Sequence, residues 1–97
     1  MKNKSKKQVQ RDREVKRIKQ TLPQSCAICG KIGIDAAHLL PKSVYPEHYT
    51  NPLNIVLLCR ECHQKYDNNL AFRKQQTKLI NRVKLFDEKA ANRHYDL

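Results

Sequence analysis

Four cysteines stand in two pairs that have the spacing of metal ligands, Cys26 with Cys29 and Cys59 with Cys62. Each CxxC pair can direct two thiolates at one ion, and two such pairs complete the tetrahedral shell of zinc. A redox CxxC would need a thioredoxin-like context, and two disulfides would need an oxidising compartment. We therefore expect one four-cysteine zinc site, which is structural because four thiolates leave no open position for water or substrate.

The other residues that could do chemistry lie between and after the two pairs. His38 ends an apolar segment, Asn54 precedes another, and His63 directly follows the last cysteine. Successive residues of a helix point about 100° apart, so a helix that directs Cys62 at the zinc directs His63 elsewhere. Asp67 lies four residues after His63 on the same helical face, and the two form a half-site for a divalent ion. The alternative is structural: His63 caps or packs the helix, and Asp67 is solvated.

The size of the chain limits the fold that can position these residues. A sequence of 97 residues, 39% of them hydrophobic, has room for one domain with a thin core. Metal binding can supply folding free energy that such a core lacks. The longest apolar run, residues 55–59, is too short for a bilayer, which takes about 20 residues. No apolar signal segment follows the basic N-terminal residues, so we expect an intracellular, cytoplasmic protein.

The charge balance indicates a polyanionic partner, because 20 Lys and Arg stand against 9 Asp and Glu, a formal net charge of +11. Residues 1–20 carry nine of the basic residues and two of the acids, which is more than half of the excess. We expect this arm to contact DNA phosphates, and such contacts make binding strongly dependent on salt. The expected nucleic-acid-binding residues are Lys6, Lys7, Arg11, Arg13, Lys16 and Arg17.

The spacing of apolar residues in the arm predicts a helix. Val15, Ile18 and Leu22 recur at helical spacing, and Pro23 marks where the helix must have ended. The first eight residues are too polar to fold alone. We therefore expect a basic helix with a narrow apolar stripe.

The rest of the chain reads as strands and then helices. Two short apolar segments, residues 34–40 and 54–58, predict strands separated by a proline-containing loop. Good helix formers predict a helix over residues 60–68, and apolar spacing predicts a second, amphipathic helix over residues 70–91. The fold class is therefore α+β.

Composition divides the chain into three parts. These are a basic N-terminal arm or helix over residues 1–22, a compact module over residues 23–69, and a C-terminal helix and tail over residues 70–97. Two further histidines are assigned no role. They are His48, in the loop, and His94, which lies in the C-terminal tail without metal-binding spacing.

The order and spacing of the candidate residues resemble the HNH endonuclease family in its zinc-containing, four-cysteine form. The resemblance implies a treble-clef-like ββα-metal finger, in which two antiparallel strands and a helix surround one catalytic divalent ion. The expected fold is then a small zinc-stabilised finger between a basic N-terminal helix or arm and a C-terminal helix. The resemblance covers about residues 26–67 and lies in the strings Cys26-Ala-Ile-Cys29, Asp35-Ala-Ala-His38-Leu-Leu-Pro41 and Asn54-Ile-Val-Leu-Leu-Cys59-Arg-Glu-Cys62-His63.

Three functional residues of the family carry over to this sequence by resemblance. His38 resembles the general base that activates water against the phosphodiester. Asn54 resembles the middle residue, which pins the loop and helps to orient the base. His63 resembles the final histidine, a ligand of the catalytic ion.

The sequence departs from the family pattern at Ala37. The family usually has Asp, Glu or His directly before the base as a second metal ligand, and alanine cannot coordinate an ion. Either Asp67 or Asp35 compensates, or the ion is held more weakly, or catalysis is lost. We favour Asp67, because its relation to His63 does not depend on strand register, whereas Asp35 would need a twisted or bulged strand.

The function implied by the resemblance is metal-dependent endonuclease activity on DNA phosphodiester bonds. The expected cofactors are a structural Zn²⁺ and a catalytic Mg²⁺, Mn²⁺ or similar ion, and no membrane or small-molecule substrate is expected. A homodimer, a larger phage or restriction complex, and a phage or mobile-element origin all fit this activity. Two alternatives remain open: a non-catalytic zinc-finger module that binds nucleic acid, and a nuclease subunit that needs a partner.

Overall fold

The computed structural model describes residues 6–97, so residues 1–5 of the predicted arm lie outside the described part. No helix within this part is both long and apolar enough to span a membrane. Two short 3-10 helices, Pro46–His48 and Pro52–Asn54, lie in the loop between the strands. The main elements are helix α1 (Lys6–Thr21), strands β1 (Asp35–His38) and β2 (Ile55–Leu58), and helices α2 (Arg60–Asn68), α3 (Leu70–Lys74), α4 (Thr77–Lys84) and α5 (Glu88–His94).

The two described strands form one antiparallel pair. Asp35 lies opposite Leu58 and His38 lies opposite Ile55. All four residues of β2 are buried, as expected for a strand covered on both faces. Helix α1 packs against β2, and α2 begins two residues after β2 ends. The functional histidines predicted from sequence therefore lie at the end of β1 and near the start of α2.

The four cysteines meet at the junction of the first CxxC with α2. Their sulfur atoms all lie within 4.8 Å of one another, and the Sγ atoms of Cys29 and Cys59 are 3.7 Å apart. A tetrahedral zinc with Zn–S bonds of about 2.3 Å needs sulfurs about 3.8 Å apart. The backbone N–H of Cys62 donates to the Cys59 Sγ, so this cysteine also caps α2. The cysteine set fits one zinc ion, as its spacing predicted.

The environment of the cysteines favours binding of a cation. Burial raises the pKa of Cys26, but hydrogen bonds from backbone N–H groups, those of Cys29 first, outweigh it and lower the pKa to about 6. Burial and the neighbouring cysteines raise the pKa of Cys62. One thiol is thus easily ionised and another is not. A divalent cation removes this difference, because it stabilises all four sulfurs as thiolates.

The core joins the finger to the C-terminal helices. Tyr66 of α2 and Tyr95, just after α5, are both almost fully buried and their hydroxyls contact each other. The Tyr66 hydroxyl also donates to the Leu39 carbonyl oxygen at 2.8 Å. Val83 of α4 and Ala91 of α5 complete this core with no exposed surface. The architecture is the small α+β finger that the sequence predicted.

The predicted helix over residues 70–91 is wrong, because three separate helices occupy this segment. Two side chains start new helices within it. Asn69 accepts a hydrogen bond from the Phe72 N–H at the start of α3, and Asp87 accepts one from the Ala90 N–H at the start of α5. Such caps satisfy helix N-termini and mark the breaks between helices.

Helix α1 ends before Pro23 as predicted, but it begins earlier than its polarity suggested. Residues 6–8 are helical, and the Gln8 side chain accepts a hydrogen bond from Lys42 Nζ at 2.8 Å. Among the described residues of α1, Ile18 is the buried member of the predicted apolar stripe. Contacts with the loop between the strands therefore support a segment that would not fold alone.

Gly33, which lies between the first CxxC pair and β1, allows its backbone to approach Leu57 and Ser25 closely. A Cβ atom on Gly33 would lie 2.8 Å from the Leu57 Cβ and 3.1 Å from the Ser25 carbonyl oxygen. We expect Gly33→Ala to lower the free energy of unfolding by about 1–3 kcal/mol, because the backbone must shift. Denaturant unfolding of the zinc-loaded protein measures this loss.

Gly30→Asn is the matched control. Gly30 has a φ of 79°, which asparagine tolerates, and apart from its two chain neighbours no described residue comes within 4 Å of its added Cβ. We expect this variant to lose less than about 1 kcal/mol. An equal loss in both variants would contradict the steric explanation.

Removal of zinc should unfold the protein. We expect one zinc per chain by elemental analysis, and loss of secondary structure by circular dichroism when a strong chelator removes the ion. Structural zinc sites bind with about 10–16 kcal/mol of apparent free energy, which is more than a thin core supplies. Cys59→Ser should lose the zinc and His63→Ala should keep it. A folded, zinc-free protein would contradict this assignment.

Candidate active site and metal centre

An open cavity of about 340 Å³ lies between β1, α2 and the C-terminal helices. Helix geometry makes two adjacent residues of α2 face different sites. Cys62 is buried against the other cysteines, whereas His63, the next residue along α2, lines the cavity. Within the described chain, the lining residues include no cysteine and are Ala36, His38, Leu39, Pro41, His63, Tyr66, Asp67, Arg73 and His94.

His38 is held so that one ring nitrogen is free to accept a proton. Its Nε2 lies 2.9 Å from the Tyr49 carbonyl oxygen, which can only accept, so Nε2 carries the hydrogen and Nδ1 carries the lone pair. The rings of His38 and Tyr49 are stacked, with centroids 4.7 Å apart and planes 8° apart. Burial lowers the pKa of His38 below its usual value, which favours the neutral imidazole at neutral pH.

His63 lies between two carboxylates. Its Nδ1 is 3.0 Å from Asp35 Oδ2, and its Nε2 is 3.2 Å from Asp67 Oδ2. The hydrogen bond from His63, followed by that from Arg60, lowers the pKa of Asp35, so Asp35 stays ionised and accepts the Nδ1 hydrogen. In the neutral ring, Nε2 then has a lone pair that faces the Asp67 carboxylate. A second proton on Nε2, or a metal cation held by both atoms, would relieve the repulsion between them.

The two candidate acids therefore occupy different positions. Asp67 lines the cavity, and its side chain is 52% exposed. Asp35 contacts the far nitrogen of His63 and also accepts a hydrogen bond from Arg60 at 3.2 Å. Asp35 is not one of the described residues that line the cavity. This geometry fits Asp67 as a ligand and Asp35 as the group that orients the His63 ring.

Ala37 lies in the core. It has no exposed surface, lies opposite Val56 in the sheet, and does not belong to the described lining of the cavity. Position 37 therefore offers no ligand to an ion in the cavity.

Asn54 is fully buried and holds the loop between the strands. Its Oδ1 accepts a hydrogen bond from the Leu40 N–H at 2.8 Å. Its Nδ2 donates to the carbonyl oxygens of Leu40 and His48, at 3.2 and 3.1 Å. Asn54 is absent from the described lining of the cavity, so its contacts are those of a positioning residue.

Two cavity residues, Arg73 and His94, were not assigned to this site from the sequence. The Arg73 guanidinium donates to three backbone carbonyls: those of Tyr66, Asp67 and His94. Burial, and then the charge of Arg73, lower the pKa of His94 to about 4. The prediction that His94 lies in a tail is wrong, because it is the last residue of α5. No local spacing could have found it, since folding of the C-terminal helices brings it to the cavity.

His48, which had no predicted role, belongs to a second group of potential ligands. Its Nε2 is 2.9 Å from Asp87 Oδ2, and Glu47 completes a set of ligand atoms within 4.8 Å of one another. His48 also contacts the edge of Phe86. These contacts join the loop between the strands to the start of α5.

The predicted nucleic-acid-binding residues all lie on α1, and most are exposed. Arg11 is half-buried, and Arg17 forms an ion pair with Glu14 on the same helix. One side of α1 reaches the loop between the strands, where the Tyr49 hydroxyl donates to Asp12 Oδ1. The basic helix therefore lies next to the residue that stacks on His38.

Comparison with known proteins identifies one family. Residues 26–72 match the sequence model of the HNH endonuclease family. Searches of curated proteins and of solved structures gave no significant match. The matched segment contains both cysteine pairs, both strands, α2 and the three histidine and asparagine positions that carried the resemblance. Residues 26–72 of this chain therefore belong to the HNH endonuclease family.

Proposed function

We propose that this protein is a metal-dependent endonuclease that hydrolyses DNA phosphodiester bonds. His38 is the general base, and His63 and Asp67 hold the divalent ion. The observation that carries this proposal is the convergence of these three side chains on one cavity, whose described lining contains no cysteine. The match to the HNH endonuclease family supports the same reaction class.

His38 has the state that a general base needs. Burial favours its neutral form, and the Tyr49 carbonyl keeps the hydrogen on Nε2, so Nδ1 can take a proton from water. A positioned base of this kind typically contributes about 10² to 10⁴ in rate. Asn54 supports the base by fixing Leu40, two residues after it.

His63 and Asp67 offer one imidazole nitrogen and one carboxylate oxygen on the same helix face. Asp35 holds the His63 ring from the other side through Nδ1, which leaves Nε2 for the ion. A bound Mg²⁺ or Mn²⁺ supplies stabilisation of the charge that develops on the phosphate and leaving-group oxygens. The zinc held by the four cysteines is structural and takes no part in this chemistry.

DNA is the substrate that the charge of the chain favours. The formal charge of +11 is concentrated in the first 20 residues, and α1 presents most of its described basic side chains to solvent. Contacts from such residues to phosphates supply affinity without sequence information. His38 lines the same open cavity as His63 and Asp67, and a phosphodiester bound there would lie next to all three.

A non-catalytic zinc finger that binds nucleic acid is the second candidate. The buried Ala37 favours it, because the usual second ligand is missing there. Salt-sensitive DNA binding with no cleavage of DNA or RNA in Mg²⁺, Mn²⁺ or Zn²⁺ would support this candidate over the nuclease.

We expect His38→Ala to abolish cleavage of plasmid DNA in Mn²⁺ or Mg²⁺, with a rate loss of about 10² or more. The variant should keep its zinc and its circular dichroism spectrum. In the parent protein, the single-turnover rate should rise with pH while His38 loses its proton. Because burial lowers the pKa of His38, that rise should be complete by neutral pH. Undiminished cutting by a pure His38→Ala preparation would contradict the assignment.

We expect Asp67→Asn to raise the Mn²⁺ concentration for half-maximal cleavage by about tenfold or more, because a ligand oxygen loses its charge. Glu61→Gln is the matched control, since it removes one acid from the exposed face of the same helix, where Glu61 pairs with Lys65. Titration of the cleavage rate with Mn²⁺ measures both. Equal effects of the two substitutions would contradict the assignment of Asp67 as a ligand of the ion. A larger effect of Asp35→Asn would make Asp35 the ligand.

A further inference from the structure

We infer that helix α1 positions the base as well as binding DNA: Asp12 holds the side chain of Tyr49, and Tyr49 fixes the orientation and tautomer of His38. Asp12 and Tyr49 are thus positioning residues that act through His38. The catalytic meaning of this inference rests on the proposed function, whereas the effect on the His38 tautomer does not.

Tyr49 contacts His38 in two independent ways. Its carbonyl oxygen accepts the hydrogen bond from His38 Nε2 at 2.9 Å, and its ring stacks on the imidazole with planes 8° apart. The carbonyl selects the tautomer, because it can accept a hydrogen but cannot donate one. The stacked ring restricts rotation of the imidazole about its side-chain bonds. A shift of Tyr49 would therefore disturb both the direction and the protonated nitrogen of the base.

The side chain of Tyr49 is in turn held by α1. Its hydroxyl donates to Asp12 Oδ1 at 2.8 Å, and the same oxygen accepts from Gln8 Nε2 at 2.8 Å. Lys42 Nζ lies 4.5 Å from the centre of the Tyr49 ring and donates to Gln8 Oε1. Burial, and then the hydrogen bond to Asp12, raise the pKa of Tyr49, so the hydroxyl remains a donor at neutral pH.

Among the described residues of the finger, none hydrogen-bonds the Tyr49 hydroxyl. Asn54 ties down Leu40 and the His48 carbonyl, which are backbone positions on either side of the loop. Tyr49 lies just after the 3-10 helix Pro46–His48, where its own N–H donates to the Pro46 carbonyl at 3.2 Å. The hydrogen bond of its hydroxyl goes to Asp12 of α1. The helix thus completes the support of His38 from outside the segment that matches the family.

Loss of this support has a defined chemical consequence. If the Tyr49 carbonyl moves away, the Nε2 hydrogen of His38 loses its acceptor, and the tautomer with the hydrogen on Nδ1 becomes competitive. That tautomer has no lone pair on Nδ1 to receive a proton from water. The rate of base catalysis then falls in proportion to the loss of the tautomer with the hydrogen on Nε2. The groups that contact the DNA phosphates do not change.

Four variants of the full chain test the inference. Asp12→Ala and Tyr49→Phe each remove the hydrogen bond between α1 and Tyr49, and Asp12→Asn keeps an oxygen acceptor at the same place. Glu14→Ala is the matched control, because it also removes one negative charge from α1. Glu14 pairs with Arg17 and not with Tyr49. Single-turnover cleavage with saturating protein gives the chemical rate, and a binding titration without divalent ion gives DNA affinity.

We expect Asp12→Ala and Tyr49→Phe to slow the chemical rate by about three- to tenfold, which corresponds to the loss of one hydrogen bond. Asp12→Asn should recover most of the rate. Asp12→Ala and Glu14→Ala should have the same DNA affinity, because each removes one acid from the same helix. Equal chemical rates in Asp12→Ala, Glu14→Ala and the parent protein would overturn the inference.

Nitrogen NMR of the histidine rings, in zinc-loaded protein without Mg²⁺ or Mn²⁺, supplies a readout that needs no activity. His38 should carry its hydrogen on Nε2 in the parent protein and in Glu14→Ala, and should show a mixture of tautomers in Asp12→Ala and Tyr49→Phe. An unchanged His38 tautomer in both of the latter variants would overturn the inference. A parent protein that fails to cleave DNA would refute the proposed function, and the tautomer populations would still decide the role of α1.

Discussion

The convergence of four cysteine sulfurs on one point is the constraint on which the rest of the structure depends. It joins the first CxxC to the N-terminus of α2, where Cys59 also caps the helix. Once Cys62 is directed at the metal, the rotation of α2 about its axis is set. His63 and Asp67 must then face the cavity, and Tyr66 must face the core. The cysteine cluster therefore determines where His63 and Asp67, the proposed ligands of the reactive ion, lie.

The two predicted histidines of the cavity have different surroundings, and these suit different tasks. His38 is partly buried, stacked on Tyr49 and hydrogen-bonded to a carbonyl, all of which suit a neutral base. His63 lies between Asp35 and Asp67, which suits a group that shares a cation with a carboxylate. Environment rather than residue type distinguishes the two proposed roles, as it does in active sites that contain two like residues.

The sequence predicted those parts of the site that depend on local spacing. The CxxC pairs and the bounds of α2 could be read directly, because metal ligands and helix formers leave short-range patterns. The break-up of the 70–91 segment was missed, since apolar periodicity outweighed the capping side chains of Asn69 and Asp87. His94 and Arg73 could not be assigned to the cavity, because tertiary packing alone brings α5 and α3 to it. The choice between Asp35 and Asp67 needed the strand register and the ring orientation of His63.

The central claim is that the reactive ion lies in the cavity, apart from the structural zinc. The most direct test is to add Mn²⁺ to the zinc-loaded protein and to identify which NMR signals it broadens. A paramagnetic ion held by His63 and Asp67 should broaden the signals of those residues and of their cavity neighbours Ala36 and His38. Broadening centred instead on the group of Glu47, His48 and Asp87, with the cavity signals unchanged, would contradict the account.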